Sequence, residues 1–178
     1  MTPSAAIRPP ANEHHPYYGK YIALVPESEA IAALESQLAD MMPLLEGLSE
    51  SQGSIRYAPD KWSVKQVVQH VLDSERVFAY RALRFARADR TPVPGLDENT
   101  YAGSAGADGR TLRSLASELA LVRRANVEMF RGLPPAAWTR LGVANENEVS
   151  VRALAFIIAG HARHHVGLLR ERYLAARP

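Results

Sequence analysis

The sequence predicts an all-α fold, a four-helix bundle, and three observations support this prediction. Four segments of the 178-residue chain carry apolar residues spaced three and four apart, which is the repeat of an amphipathic helix. The stretches between them show no convincing alternation of apolar and polar residues, the pattern of a half-buried strand. Helices of roughly 22 to 26 residues extend over roughly 35 Å and bury their apolar faces against one another in a bundle. The predicted helices occupy about residues 27–50, 63–88, 111–133 and 150–175.

The first predicted helix, about residues 27–50, places apolar residues such as Ile31 and Leu34 on one face. Pro43 lies inside this segment. Because proline has no backbone N–H and its ring collides with the preceding turn, we expect a kink or an early end there. Residues 1–26, which precede the helix, are predicted to form an N-terminal arm.

The other three predicted helices have recognisable ends. The second begins at Ser63, which is followed three residues later by Gln66. In this pattern, a capping box, the side chain of each residue accepts a hydrogen bond from the backbone N–H of the other. The third opens at Thr111 and stops at a proline pair that begins at Pro134. The fourth opens at Ser150. These boundaries predict three amphipathic helices after the first one.

Two long connections join the predicted helices. Residues 89–110 are rich in proline, glycine and aspartate, and they can run the full length of a bundle, so that helices two and three can be parallel. Loops of this length are usually functional or disordered. Residues 134–149 form the second connection, with a short helical turn expected at Pro135–Trp138. Neither stretch marks a domain boundary, so residues 1–178 are predicted to form a single domain.

The composition excludes several kinds of protein. Lysine and arginine number 21 against 19 aspartate and glutamate residues, a net charge of +2 that argues against a dedicated nucleic-acid surface. The chain has no cysteine, so disulfides, thiolate catalysis and sulfur-ligated zinc are excluded. No targeting segment is evident, nor is any apolar run of the roughly 18 residues that a membrane span requires. We therefore expect a cytoplasmic protein.

Two histidines lie on the apolar face of the fourth predicted helix. His161 and His165 are four residues apart, which stacks their imidazoles about one turn apart, while His164 projects away toward solvent. Imidazoles at this spacing can bind one metal ion, and core histidines held by hydrogen bonds are the alternative. His70 on the second helix completes a set of three and favours the metal site. Three imidazoles without a thiolate leave coordination positions open, as in catalytic sites.

Other polar residues also fall on or near the apolar faces. Glu75 lies in the middle of the second helix's face, where it could orient a ligand histidine or accept a proton in catalysis. A salt bridge to an arginine across the bundle is the alternative that we favour, and Arg123 and Asn126 lie near the face of the third helix. Four residues of the long connection between helices two and three could line the mouth of a pocket, although a solvated loop explains them equally well. They are Asp97, Glu98, Asn99 and Tyr101.

Two stretches of sequence resemble the DinB/YfiT-like superfamily. One is Lys61-Trp62-Ser63-Val64-Lys65 followed by His70 and Asp73-Ser74-Glu75-Arg76, and the other is Gly160-His161-Ala162-Arg163-His164-His165. The similarity includes Tyr17-Tyr18-Gly19-Lys20-Tyr21 and the loop Pro94-Gly95-Leu96-Asp97. It implies a four-helix bundle in an up-down-down-up arrangement, and a homodimer, since members of the superfamily are frequently homodimers. It also implies a divalent metal, most often zinc or nickel, held at the positions of His70, His161 and His165.

The resemblance also carries expectations about function. The best understood members are metal-dependent transferases that act with low-molecular-weight thiols such as bacillithiol or mycothiol, and others are damage-inducible proteins without an assigned reaction. We therefore expect a metal-dependent enzyme, a thiol-dependent S-transferase or a hydrolase, that acts on a small molecule. The alternative is a non-catalytic metal-binding protein of the stress response. Nucleic-acid binding is the weakest hypothesis, because the net charge is low and no recognised binding motif is present.

Overall fold

A computed structural model describes residues 6–175, which form a four-helix bundle with short helices and one β-hairpin around it. The bundle consists of α2 (Ala30–Glu46), α4 (Val64–Ala86), α6 (Leu112–Arg131) and α7 (Val151–Leu168). Within residues 6–175, none of the helices combines the length and apolar character that crossing a bilayer requires. In chain order the elements are α1 (Pro16–Ile22), α2 (Ala30–Glu46), α3 (Glu50–Gly53), α4 (Val64–Ala86), α5 (Glu98–Ser104), α6 (Leu112–Arg131), β1 (Leu141–Ala144), β2 (Asn147–Ser150) and α7 (Val151–Leu168).

The N-terminal caps of the bundle helices set where three of them begin. The Ser63 hydroxyl accepts a hydrogen bond from the backbone N–H of Gln66, and the Gln66 side chain accepts one from the backbone N–H of Ser63. The predicted capping box is therefore confirmed. Thr111 caps α6 and Ser150 caps α7 in the same way, each through its side-chain oxygen. Each cap satisfies backbone N–H groups that have no partner inside the helix.

Contacts at the two ends of the bundle show the predicted up-down-down-up arrangement. At one end Glu50, just after α2, pairs with Lys65 near the start of α4 and accepts a hydrogen bond from the N–H of Leu112 at the start of α6. At the other end the Arg140 side chain donates to a carbonyl of the last residue of α4, and the Arg140 carbonyl accepts the first N–H of α7. Helices α4 and α6 are therefore parallel, and the long connection between them runs the length of the bundle.

A polar layer divides the core of the bundle into two apolar clusters. One cluster packs around Phe78 and Phe130 near the β-hairpin, and the other packs around Leu72 and Leu119 at the opposite end. The residues of the polar layer, one from each bundle helix and all buried, are Gln37, Glu75, Arg123 and His161. The candidate metal site therefore lies at the level where the apolar packing is interrupted.

The expectation of no strands is wrong at residues 141–150, which form an antiparallel hairpin. Each strand has four residues, which is too short for an alternating pattern to be evident in the sequence. The two turn residues, Asn145 and Glu146, both have positive φ, 49° and 64°, as a two-residue hairpin turn requires. Val93 from the long connection pairs with the hairpin through Val143, with an N–O distance of 2.9 Å. Tertiary contacts thus support a hairpin that the local sequence only weakly specifies.

The first predicted helix ends earlier than residue 50. Helix α2 ends at Glu46, and the four-residue α3 follows after a break. Pro43 lies in the last turn of α2, and the N–H of Gly47 donates to the Pro43 carbonyl at the helix end. The helix therefore continues through Pro43 and ends three residues beyond it, before the predicted residue 50.

Short helical elements occupy segments that were predicted to be an N-terminal arm and connections between helices. The arm contains α1, and the long connection contains α5. The turn expected at Pro135–Trp138 is confirmed as a 3-10 turn at Pro135–Ala137. The last predicted helix, about residues 150–175, is α-helical only to Leu168, and a π-helical turn over Leu169–Tyr173 follows.

Helix α1 is docked against α7 at Gly160. The backbone of Tyr21 lies so close that a Cβ atom at position 160 would be 2.0 Å from the Tyr21 carbonyl oxygen. This close approach places the Tyr21 ring at 5.3 Å from the ring of His161, measured between centroids. Only glycine fits at position 160, because any side chain there would push α1 away from the histidines.

We expect Gly160→Ala to lower the free energy of unfolding by about 1–3 kcal/mol, the usual cost of overpacking a closely packed contact. Urea denaturation of the purified variant measures this change. Gly167→Ala is the matched control, because Gly167 lies in the same helix with open space where its Cβ would be. Since alanine favours helix, we expect this control to gain up to about 1 kcal/mol. Equal stability of the two variants would contradict the proposed role of the contact.

Candidate metal centre

The structure brings together the three histidines that the sequence singled out. His70 comes from α4, and His161 and His165 come from successive turns of α7. The Nε2 atom of His161 lies 3.1 Å from Nε2 of His70 and 3.1 Å from Nε2 of His165. Three ring nitrogens from two helices therefore converge on one point.

The spacing of these nitrogens suits a single metal ion. Imidazole nitrogens lie about 2.0–2.1 Å from a bound zinc ion, which separates neighbouring ligand atoms by roughly 2.9–3.4 Å. The two Nε2–Nε2 distances of 3.1 Å fall within this range. A donor set made of nitrogen suits zinc, nickel, copper or iron better than calcium or magnesium, which prefer oxygen. Within residues 6–175 this is the one cluster of three or more metal-ligating side chains with such spacing.

Burial keeps these imidazoles in the neutral form that metals bind. Loss of contact with water lowers the pKa of His70 to about 4 and the pKa of His165 to about 3, with smaller contributions from neighbouring histidines. Burial also lowers the pKa of His161 well below its ordinary value, and the two other cluster histidines lower it further. Because a protonated imidazole cannot be a ligand, these shifts leave the three nitrogens available at neutral pH.

His165 makes its polar contacts through Nε2. Its other ring nitrogen, Nδ1, is enclosed and has no hydrogen-bond partner within the described part of the chain. Buried polar side chains normally have their hydrogen-bonding groups satisfied. An ion bound at Nε2 leaves the Nδ1–H of His165 without an acceptor, so the fit of this site to a metal ion rests on the three converging, neutral imidazole nitrogens.

Aromatic side chains surround the imidazoles. The Trp62 ring lies 4.8 Å from the ring of His70, and the rings of Tyr21 and Phe78 lie 5.3 Å and 5.9 Å from that of His161, all between centroids. These contacts restrict the orientations of the imidazoles and keep water from their sides. Access to the three nitrogens is left to the face that borders a cleft.

The histidine cluster borders an open cleft of about 550 Å³, a volume that suits a small molecule. Its walls come from α1, α4, α7, the long connection and the hairpin turn. The contribution of α1 was not predicted, although the tyrosine-rich segment at residues 17–21 is a signal in the sequence that points to it. Besides the three histidines, the lining residues are His15, Tyr17, Tyr18, Lys20, Tyr21, Trp62, Ser74, Phe78, Arg81, Leu96, Glu98, Asn145, Asn147 and His164.

His164 stays outside the cluster of three nitrogens. Its side chain is exposed, as the helical phase predicted. Its ring contacts those of Tyr21 and His165, with centroid separations of 5.4 Å and 5.1 Å. His164 therefore lies at the rim of the cleft. Of the three histidines on α7, only His161 and His165 belong to the cluster.

Glu75 forms the salt bridge that the sequence offered as the favoured alternative. Its carboxylate accepts two hydrogen bonds from Arg123, at 2.7 Å and 2.9 Å, and a third from Asn126 at 3.2 Å. Glu75 is buried in the polar layer and is not among the described residues that line the cleft. Because its oxygens are occupied inside the bundle, the structure corrects the alternative of Glu75 as a proton acceptor or orienting group at the cluster.

The residues of the long connection that were expected at a pocket mouth have separate positions. Glu98 lines the cleft. Asp97 caps the start of α5, where its carboxylate accepts hydrogen bonds from the N–H groups of Asn99 and Thr100. Tyr101 is about half exposed on the surface. Of the four residues named from sequence, only Glu98 is among the lining residues.

Comparisons with known proteins agree with this architecture. A sequence profile of the DinB superfamily matches residues 33–169, which include all three histidines. No curated protein matched the chain. Among solved structures, YfiT from Bacillus subtilis, described as a probable metal-dependent hydrolase with an unusual four-helix bundle topology, has a TM-score of 0.71 at 18% identity. The match covers 94% of this chain and 95% of YfiT. The chain therefore belongs to the DinB superfamily.

Proposed function

We propose that the protein is a metal-dependent hydrolase that cleaves an ester or amide bond of a small molecule. The observation that carries this proposal is the convergence of three Nε2 atoms, from His70, His161 and His165, at the wall of an open cleft. A bound divalent ion, for which zinc and nickel are our first candidates, supplies Lewis acidity that activates water and polarises a carbonyl oxygen. The net reaction adds water across the bond and releases an acid and an alcohol or amine.

The protein's own residues prepare the site for this chemistry. The three imidazoles are neutral at neutral pH because burial lowers their pKa values, so they are free to act as ligands. Trp62, Tyr21 and Phe78 hold the rings from the sides and exclude water there. Substrate therefore reaches the nitrogens from the cleft, where α1 forms one wall.

The open cleft favours catalysis over a purely structural metal site. Structural zinc sites are closed by four protein ligands, whereas catalytic sites use three and leave a position for substrate. Here three ligand atoms meet beside a cleft of about 550 Å³. The description of YfiT, whose fold this chain shares, supports hydrolysis as the reaction type. Thiol-dependent transfer and non-catalytic metal binding are the competing functions that the experiment must separate.

Hydrolysis of 4-nitrophenyl acetate, followed by the release of nitrophenolate, tests the proposal. The purified protein is assayed as isolated, after metal removal by a chelator, and after addition of Zn²⁺ or Ni²⁺. We expect activity to disappear with the metal and to return with it, and to be absent in His161→Ala. Arg124→Gln is the control, because Arg124 is exposed and does not line the cleft.

Parallel assays distinguish the competing functions. Transfer is measured with glutathione, bacillithiol or mycothiol and 1-chloro-2,4-dinitrobenzene, in which the thiolate sulfur displaces chloride. Metal-dependent transfer without hydrolysis of esters or amides would replace the hydrolase by a thiol transferase. No turnover in either assay, together with a strong loss of thermal stability on metal removal, would indicate a non-catalytic metal-binding protein.

A further inference from the structure

Arg81 is a buried cation without an acidic partner. Its side chain is 4% exposed, and it forms no ion pair with any residue in the described range. One Nη atom donates to the Pro94 carbonyl at 2.8 Å, whereas the Nε–H is enclosed and has no acceptor among those residues. Arg123, which is fully buried, is instead paired with the carboxylate of Glu75 through two hydrogen bonds. Burying a charge is costly unless it is paired, so the environment of Arg81 lacks a counter-charge.

The position of Arg81 connects it to the histidine cluster. His70, Ser74, Phe78 and Arg81 follow one another along α4 at intervals of four, four and three residues, and all of them line the cleft. The centroid of the Phe78 ring lies 5.9 Å from the ring of His161 and 5.9 Å from the Cζ atom of Arg81. A single phenyl ring therefore separates the candidate metal site from the guanidinium group.

The charge of the cleft also favours an anion. Besides the neutral imidazoles, its described lining contains the cations Lys20 and Arg81 and one carboxylate, Glu98. Burial lowers the pKa of Arg81, and the nearby Tyr18 hydroxyl opposes this shift. The guanidinium nevertheless stays charged at neutral pH, because an arginine pKa lies far above that range. A negative group brought in by a ligand would supply the missing counter-charge.

We propose that Arg81 binds a carboxylate of the substrate, so that the substrate is a carboxylic acid with a short apolar linker between this carboxylate and the bond that is cleaved. The inference rests on the proposed hydrolase function. A planar guanidinium matches a carboxylate with two parallel hydrogen bonds, and the Phe78 ring between the two sites suits an apolar linker. In the reaction a water oxygen bonds to the acyl carbon, the bond to the leaving group breaks, and the leaving group takes a proton. The carboxylate at Arg81 is unchanged.

Two esters with the same leaving group test this inference. Mono-4-nitrophenyl glutarate carries a free carboxylate, and 4-nitrophenyl valerate has the same number of acyl carbons without it. We expect the metal-loaded protein to have a higher kcat/KM for the glutarate ester, after subtraction of the spontaneous rates. In Arg81→Gln the ratio of the two kcat/KM values should fall at least about tenfold, the usual effect of losing a hydrogen bond to a charged group.

Control variants separate a binding role from a structural one. Arg81→Lys keeps the positive charge but lacks the planar guanidinium group, so it should retain part of the preference for the glutarate ester. Arg124→Gln removes an exposed positive charge away from the cleft and should leave the ratio unchanged. A purely structural role for Arg81 would lower both kcat/KM values together. An unchanged ratio in Arg81→Gln, or no preference for the glutarate ester in the unaltered protein, would overturn the inference.

A binding measurement makes the result independent of hydrolysis. Glutarate and uncharged glutaramide are titrated into the metal-stripped protein by calorimetry, which measures affinity without turnover. We expect glutarate to bind at least about tenfold more tightly, and Arg81→Gln to remove this difference. Binding that depends on Arg81 in a protein that hydrolyses neither ester would support the carboxylate site and reject the hydrolase. Hydrolysis of the valerate ester without any glutarate binding would support the hydrolase and reject the carboxylate site.

Discussion

Replacing His161 or His165 by alanine is expected to reduce bound metal from about one ion per chain to less than about a tenth of that value. Each substitution removes one of three ring nitrogens that all lie within 4.8 Å of one another, and the two that remain cannot complete a catalytic-type site. His70→Ala should have the same effect, because its Nε2 belongs to the same cluster. Elemental analysis of the purified, metal-loaded variants measures the loss.

His164→Ala is the matched control for this prediction. It removes an imidazole from the same turn of α7, but the His164 ring lies outside the cluster and is exposed. We expect its metal content to equal that of the unaltered protein. Equal loss of metal in the variants at positions 161, 164 and 165 would contradict the assignment of ligands. Full retention of metal by His161→Ala would contradict it as well.

Replacing Arg123 by methionine is expected to lower the free energy of unfolding by about 3–5 kcal/mol. The Arg123 side chain is fully buried, and it donates two hydrogen bonds to Glu75 and another to the carbonyl of Leu34. Removing the arginine leaves the Glu75 carboxylate buried without its positive partner. Chemical denaturation followed by circular dichroism measures the change in stability.

The double variant Glu75→Gln with Arg123→Met shows whether the loss comes from the orphaned charge. It removes both charges from the polar layer, and we expect it to recover part of the stability, because an uncharged pair costs less to bury. Arg131→Gln is the surface control, since Arg131 pairs with Glu35 and Glu128 where all three side chains are largely exposed. Its effect should be below about 1 kcal/mol. A loss of less than about 1 kcal/mol in Arg123→Met would contradict the assigned role of the ion pair.

The elements that were correctly predicted are those encoded by neighbouring residues. The repeat of three and four residues located the bundle helices, and the Ser63 and Gln66 pair marked the start of α4. The same repeat placed His161 and His165 on one face and His164 on another. These features depend on backbone geometry within one or two turns, which is the range over which sequence spacing is informative.

The features that were missed depend on contacts between distant segments. The hairpin at 141–150 is supported by Val93, about fifty residues earlier in the chain, as well as by its own short strands. The docking of α1 depends on Gly160, whose neighbour Tyr21 lies far away in sequence. Arg81 reads in the sequence as one more basic residue near the end of a helix. That Arg81 is buried, with an Nε–H that has no acceptor among residues 6–175, is visible only when the surrounding elements are in place.

The sequence by itself determined the helical fold, the absence of thiolate ligands and the identity of the three histidines. It could do so because helical periodicity and residue chemistry are local properties. Only the tertiary structure decided that His70 reaches the pair on α7, that Glu75 is occupied by Arg123, and that α1 forms a wall of the cleft. The physical reason is that distances between helices are set by packing across the whole bundle, which spacing along one segment does not specify.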